Sequence, residues 1–204
     1  MTRTTAIGTA ALVVMLGCGL AGAETFEQAA TAKGYTYAST DNINVWAYDA
    51  ADPGGTKMPG DVTSLAGVEN YTACSGIIAS HNQITSIATN QFAGMSNVTD
   101  LFLDSNQIAG IEPGDLAGLS SLEGLYLADN QIADIDSIRY LVELTHLHLS
   151  RNEIVDIEPL VGNKGLGKGD NVSIHENSLN CSDPQTLEYI DILEQRGVEL
   201  LHDC

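Results

Sequence analysis

His146 and His148 stand two residues apart, and a third histidine follows at His175. On an extended strand such neighbours share a face. With His175 on the next strand, three imidazoles could converge on zinc or copper, giving a metal or small-ligand site. Solvated surface histidines are the alternative, because strands about 4.8 Å apart bring the rings to one ion only if their rotamers cooperate. Gly162 to Gly169 reads G-x-x-x-x-G-K-G, one residue away from a phosphate-binding loop. Gly169 occupies the place of the Ser or Thr that would hold magnesium, and a strand rather than a helix is expected next. These glycines are therefore expected to form a flexible loop, with Lys164 and Lys168 solvated. The acids Asp100, Asp104 and Asp129 lack the regular D-x-D-x-D spacing of a calcium loop. No Ser, His and Asp set and no paired carboxylates point to hydrolysis. The expectation is a non-catalytic protein without a cofactor.

These residues sit on a repeat. The pattern L-x-x-L-x-L-x-x-N-x-I occurs at Val98-Leu101-Leu103-Asn106-Ile108, Leu122-Leu125-Leu127-Asn130-Ile132 and Leu144-Leu147-Leu149-Asn152-Ile154. Degenerate copies flank them at Cys74-Ile77-Ala79-Asn82-Ile84 and Gly169-Val172-Ile174-Asn177-Leu179, and the asparagines step by 24, 24, 22 and 25 residues. The x-L-x-L portion alternates with period two and predicts a short strand with its leucines inward. Its asparagine predicts a turn, and the five side-chain amides a ladder along the stack. Ile87, Phe92 and Met95, then Ile111, Leu116 and Leu119, then Ile135, Ile138 and Leu141 would close the core from the opposite side. The register then assigns an outward row of Ile78, Phe102, Tyr126, His148 and Ser173. Asp100 and His146 flank it on one side, and Asp104 and His175 on the other. Exposed rings beside acids form a binding surface, since nothing in a strand requires Phe102 or Tyr126 to face solvent.

Over residues 61–204 the sequence resembles a leucine-rich repeat protein. Its 24-residue copies are similar to the typical class and its 22-residue copy to the internalin-like class. The resemblance implies an α/β solenoid, right-handed and curved, with a parallel sheet on the concave side, short convex segments and a helical C-terminal cap. It also implies binding of a protein partner, with a glycan as the less favoured ligand. The organisation expected is a capping segment at 24–60, about five coils at 61–180 and a cap at 181–204.

In that last segment Ser182-Asp183-Pro184 reads as a helix start, Leu187, Ile190 and Leu193 follow at helical spacing, and Gly197 marks the stop before a strand at Val198 to Leu201. Cys181 and Cys204 bracket this cap and would close it as a disulfide in an oxidising compartment. The run through His202-Asp203-Cys204 also resembles the cysteine-closed cap of secreted bacterial repeat proteins. At the other end, residues 25–33 read as a helix and 42–48, with Trp46, as a strand plugging the first coil.

Residues 1–23 have the layout of a signal peptide: Arg3, an apolar run from Ala6 to Leu16, and Ala21-Gly22-Ala23 before Glu24. The competing reading is a lipoprotein site in which Cys18 is acylated and anchors the chain to a membrane. Removal of the leader would leave Cys74 as an odd, core-facing cysteine beside one pair. The apolar run is too short for a membrane-spanning helix. With 27 acidic against 8 basic residues, the net charge of −19 would repel nucleic acid and anionic membranes. A hydrophobic content of 44 % excludes disorder as the main state. The expectation is a secreted, periplasmic or cell-surface protein that recognises another protein through the concave row.

Overall fold

The computed structural model describes residues 74–204, residues 64, 65, 68 and 72, and the backbone of residues 14–16. The capping segment at 24–60 and the acylation site at Cys18 lie outside the described residues, as does most of the leader.

Seven short strands form one sheet in chain order: β1 (Val14–Leu16), β2 (Gly76–Ile78), β3 (Asp100–Phe102), β4 (Gly124–Tyr126), β5 (His146–His148), β6 (Asn171–Ser173) and β7 (Glu199–Leu201). From β2 to β7 every pairing is parallel, one coil to the next, which makes a leucine-rich repeat solenoid. β1 runs antiparallel along the free edge of β2. The strand register aligns Ile77, Leu101, Leu125, Leu147, Val172 and Leu200 in one line, and Ile78, Phe102, Tyr126, His148, Ser173 and Leu201 in the next. Period-two alternation explains the split. The first five residues of the inward line are buried, whereas Ile78, Phe102, Tyr126, His148 and Ser173 remain partly open.

The asparagines form the expected ladder. Asn152 donates from Nδ2 to the carbonyls of Leu149, in its own coil, and Leu127, in the coil before, while its Oδ1 accepts the Ile132 N–H. Asn106, Asn130 and Asn177 repeat this set against their own neighbours. Each amide therefore satisfies backbone groups of two coils at once in a largely buried place. The residue before each asparagine is left-handed: His81, Ser105, Asp129, Arg151 and Glu176 have φ between 54° and 59°. Non-glycine residues rarely adopt this conformation, and the asparagine bonds that follow hold it.

Among the described residues from 74 on, the convex side is turns, a 3-10 helix at Asp136–Tyr140, and the one-turn helix α1 at Glu158–Gly162. Ile87, Phe92, Met95, Ile111, Leu116, Leu119, Ile135 and Ile138 are buried there, and Leu141 packs partly against them. Arg139 ties the two helices, bonding Asp136 in its own turn and both oxygens of Glu158. In the glycine-rich segment Lys164 and Lys168 are exposed, as expected, and the tight contact is at Gly165. Gly162 ends α1, and a Cβ on Gly165 would stand 1.9 Å from the Val142 carbonyl oxygen. Those glycines permit close approach between coils; strand β6 then follows Gly169 as expected, with no phosphate cradle.

Helix α2 (Pro184–Gln195) covers the C-terminal end. Asp183 caps it by accepting the Thr186 N–H, and Gly197 stops it at φ 88°. Ile190 and Leu193 are buried, but Leu187 is exposed and Thr186 takes the inward place. Thr186 is buried and bonds Asp183 with both its N–H and its hydroxyl, so the buried face begins one residue earlier than the leucine spacing suggests. Cys181 and Cys204 are joined in a disulfide with Cα atoms 5.1 Å apart. Cys74 is fully buried, as its repeat position requires, yet it is also disulfide-bonded. Its odd count came from subtracting Cys18 with the leader; none of the described cysteines is free.

Candidate functional site

The outward row runs across the sheet centre. Parallel pairing places Ile78 beside Phe102, Phe102 beside Tyr126, and Tyr126 beside His148. The Phe102 and Tyr126 rings stack with centroids 4.3 Å apart and planes 7° from parallel, and Tyr126 tilts against His148 at 4.9 Å. Gly124 makes room for this arrangement. A Cβ there would stand 2.5 Å from Asp100 Oδ1 and 2.9 Å from Tyr126 Cε2, so the tyrosine ring folds over the bare glycine towards Asp100. The row is a half-open apolar ladder about three coils wide.

Acids border it. Asp104 accepts the Ala128 N–H at 3.0 Å and the Ser80 hydroxyl at 3.3 Å, which spans three neighbouring coils. Burial pushes its carboxyl above its ordinary value, against the pull of those two bonds and of His148. Burial also raises the Tyr126 phenol, reinforced by the charges of Asp100 and Asp104. His148 is shifted the other way: burial lowers it, Asp104 opposes, and His146 and His175 add to the lowering. Asp100 accepts from the Thr99 hydroxyl at 2.8 Å. The result is a half-open apolar stripe with carboxyl groups on its edge.

Other candidate residues are placed less centrally. His146 is exposed, with Nδ1 2.9 Å from the Thr145 hydroxyl, and His175 lies beyond the end of β6 with Nδ1 2.8 Å from the Ser173 hydroxyl. Among the described residues, no group of three His, Cys, Asp or Glu side chains is placed to hold a metal ion. Asp129 is in the left-handed turn past β4, where Arg151 grips both its oxygens, and it stands apart from the ladder. Ala128 and Ser150, which the register puts on the outward side, are buried. Two features escaped the sequence: the Gly124 gap under Tyr126 and the Asp104 bridge across coils. Glycine at position 124 was the one available signal for the first.

Residues 77–132 match the family described as leucine rich repeat, and residues 120–162 match leucine-rich repeats in two copies. Among solved structures, the chain is similar to an internalin from Listeria monocytogenes at 27 % identity and TM-score 0.47, covering 60 % of this chain and 34 % of that one. It is also similar to a leucine-rich repeat protein from Leptospira interrogans at 23 % identity and TM-score 0.53, covering 67 % of this chain and 33 % of that one. The chain thus spans about a third of the length of both, and the second likeness is one of fold. No curated protein matches. No helix among the described residues is long and apolar enough to cross a membrane.

Proposed function

We infer, for a chain whose residues 77–162 are leucine-rich repeats stacked as a solenoid, that it is an exported recognition module. It binds a protein partner through the concave ladder. Leucine-rich repeat domains generally mediate protein–protein interaction, and fold alone names no target. The observation that carries this reading is the Phe102–Tyr126 stack, half-open at the sheet centre, where no packing need of the solenoid calls for two rings. Ile78, His148, Asp100 and Asp104 complete the surface, and His146, His175 and Asp129 form its margin. The partner's patch is neutral to cationic, because a chain of net charge −19 repels an acidic one.

Crosslinking capture from the native host's envelope and medium tests the face. The native chain should retain a protein that the Phe102→Ala/Tyr126→Ala variant loses while melting normally; equal retention by both overturns the reading. The intact mass of the mature protein tests export. A start at Glu24 supports a soluble exported protein, a lipid-bearing start at Cys18 a tethered one, and an uncleaved Met1 start in the native host refutes both.

A further inference from the structure

Three coils place a glycine two residues after the same convex anchor: Phe92 precedes Gly94, Leu116 precedes Gly118, and Leu160 precedes Gly162. Of the three, Gly118 is held by a close backbone approach: a Cβ there would stand 1.8 Å from the Phe92 carbonyl oxygen of the coil before. In the remaining coil, the third in chain order from Cys74, the anchor is Ile138 and the residue is Tyr140. A tyrosine cannot make that approach, so it turns outward and is 69 % exposed. This coil also has the 22-residue step, two shorter than its predecessors. Both departures loosen the same junction.

A groove of about 540 Å³ lies there, lined by Leu116, Leu119, Leu122, Tyr140, Leu141 and Val142. Val142 is 50 % exposed at its mouth. Ser137 also lines it; the residue is 5 % exposed and its Oγ has no hydrogen-bond partner. A buried hydroxyl without a partner favours any group that can reach and bond it. Glu143 is the one charged residue among the described residues of the lining.

We propose that this groove is a second docking site, separate from the sheet, for a peptide segment of a partner protein that presents an apolar side chain next to a lysine or arginine. The apolar side chain enters beside Leu116, Tyr140 and Val142, and the cation lies against Glu143. Charge selects this occupant over a second copy, which would bring another −19, and over an anionic lipid surface.

Three probes added to the full-length chain and followed by NMR test it: the terminal amides of N-acetyl-lysyl-leucine, N-acetyl-leucine and N-acetyl-glutamyl-leucine. Shift changes should centre on Ala117, Leu119 and Val142. The lysyl probe should bind roughly two- to fivefold more tightly than the glutamyl one. Glu143→Gln should erase that preference and leave apolar binding, whereas Ala117→Trp, at an exposed lining position, should fill the groove and abolish binding without lowering the melting temperature. If Ala117→Trp does not fold, Val142→Glu serves the same end. Absence of shifts at these residues, equal affinity for all three probes, or shifts confined to Phe102 and Tyr126 would overturn the proposal. So would a dimer, or binding to phosphatidylglycerol vesicles, that Ala117→Trp abolishes. The concave reading stands or falls separately, since none of these variants touches the sheet.

Discussion

Phe102 and Tyr126 face each other plane to plane across the β3–β4 pairing, with ring centroids 4.3 Å apart. Their stacking is the closest ring contact on the concave side among the described residues, and it depends on a neighbour without a side chain. Position 124 lies two residues before Tyr126 on the same face, so anything larger than glycine there competes with the ring.

Gly124→Ala should therefore damage the site although alanine suits a strand better than glycine. The new methyl would overlap Asp100 Oδ1 and Tyr126 Cε2 and push the ring off Phe102. A stability loss of about 1–3 kcal/mol is expected for such overpacking, together with a changed near-ultraviolet tyrosine signal and weakened partner binding. Denaturant unfolding and circular dichroism of the variant check it, and an unchanged tyrosine signal would show that the ring has room to spare.

Asn152→Ala should be among the more damaging single changes on the ladder. It strips the Ile132 N–H of its partner inside the stack and removes one of two amide donors from the Leu127 and Leu149 carbonyls, which keep Asn130 and Asn177. With one unsatisfied buried N–H worth about 1–3 kcal/mol, a loss of about that size is expected in urea unfolding. Asn177→Ala, at a more open rung near the cap, should cost less. The reverse order would mean that the ladder's strength lies at its end.

Replacing Cys181 and Cys204 together by serine opens the loop that holds α2 and β7. Loop entropy for a closure of 23 residues is about 3 kcal/mol. Hydrogen exchange should quicken in α2 and β7 and stay unchanged in β3 to β5, because a solenoid coil contacts mainly its neighbours. Uniform quickening through the sheet would instead reveal a single cooperative unit.

Asp104→Asn should lower the His148 titration midpoint further. The native carboxylate partly offsets the burial that depresses the imidazole, and the amide removes that charge while keeping an acceptor for the Ala128 N–H. Because the folded-state value of His148 lies below the unfolded one, its contribution is fully present above the ordinary histidine range and is lost as pH falls through the folded value. The Asp104 carboxyl is raised, so its contribution has the opposite sign. It is present below the ordinary carboxylate value and lost as pH rises through the folded one. Proton NMR of the His148 ring across an acid titration reads the first effect, and an upward move would contradict the placement of Asp104 beside it. Unfolding measured at neutral pH reads the second, where Asp104→Asn should be neutral or stabilising.

The repeat made the strands, their inward leucines and the ladder asparagines legible, because each follows from local rules. Period two sets the face of a residue, and a recurring asparagine marks the same turn in every coil. The row Ile78, Phe102, Tyr126 and His148 was legible for the same reason, since in-register parallel pairing carries one position straight across the sheet. Beyond that row, local rules stop. Asp129 shares the repeat position of Ser105 and Arg151, yet only the neighbouring coil decides that its carboxylate is bound by Arg151. Leu187 fits helical spacing but points outward, since the contact of α2 with the coil edge sets which face is buried.

By itself, the sequence determined the architecture and the list of residues that the sheet presents. Its periodicities of 2 and of 22 to 25 residues act through bonds and turns close along the chain. The tertiary structure alone decided how those residues meet: the Phe102–Tyr126 stack over Gly124, the Asp104 bridge, and the groove that opens where Tyr140 replaces a glycine. Those features depend on which side-chain volumes meet across neighbouring coils, about 24 residues apart in the chain.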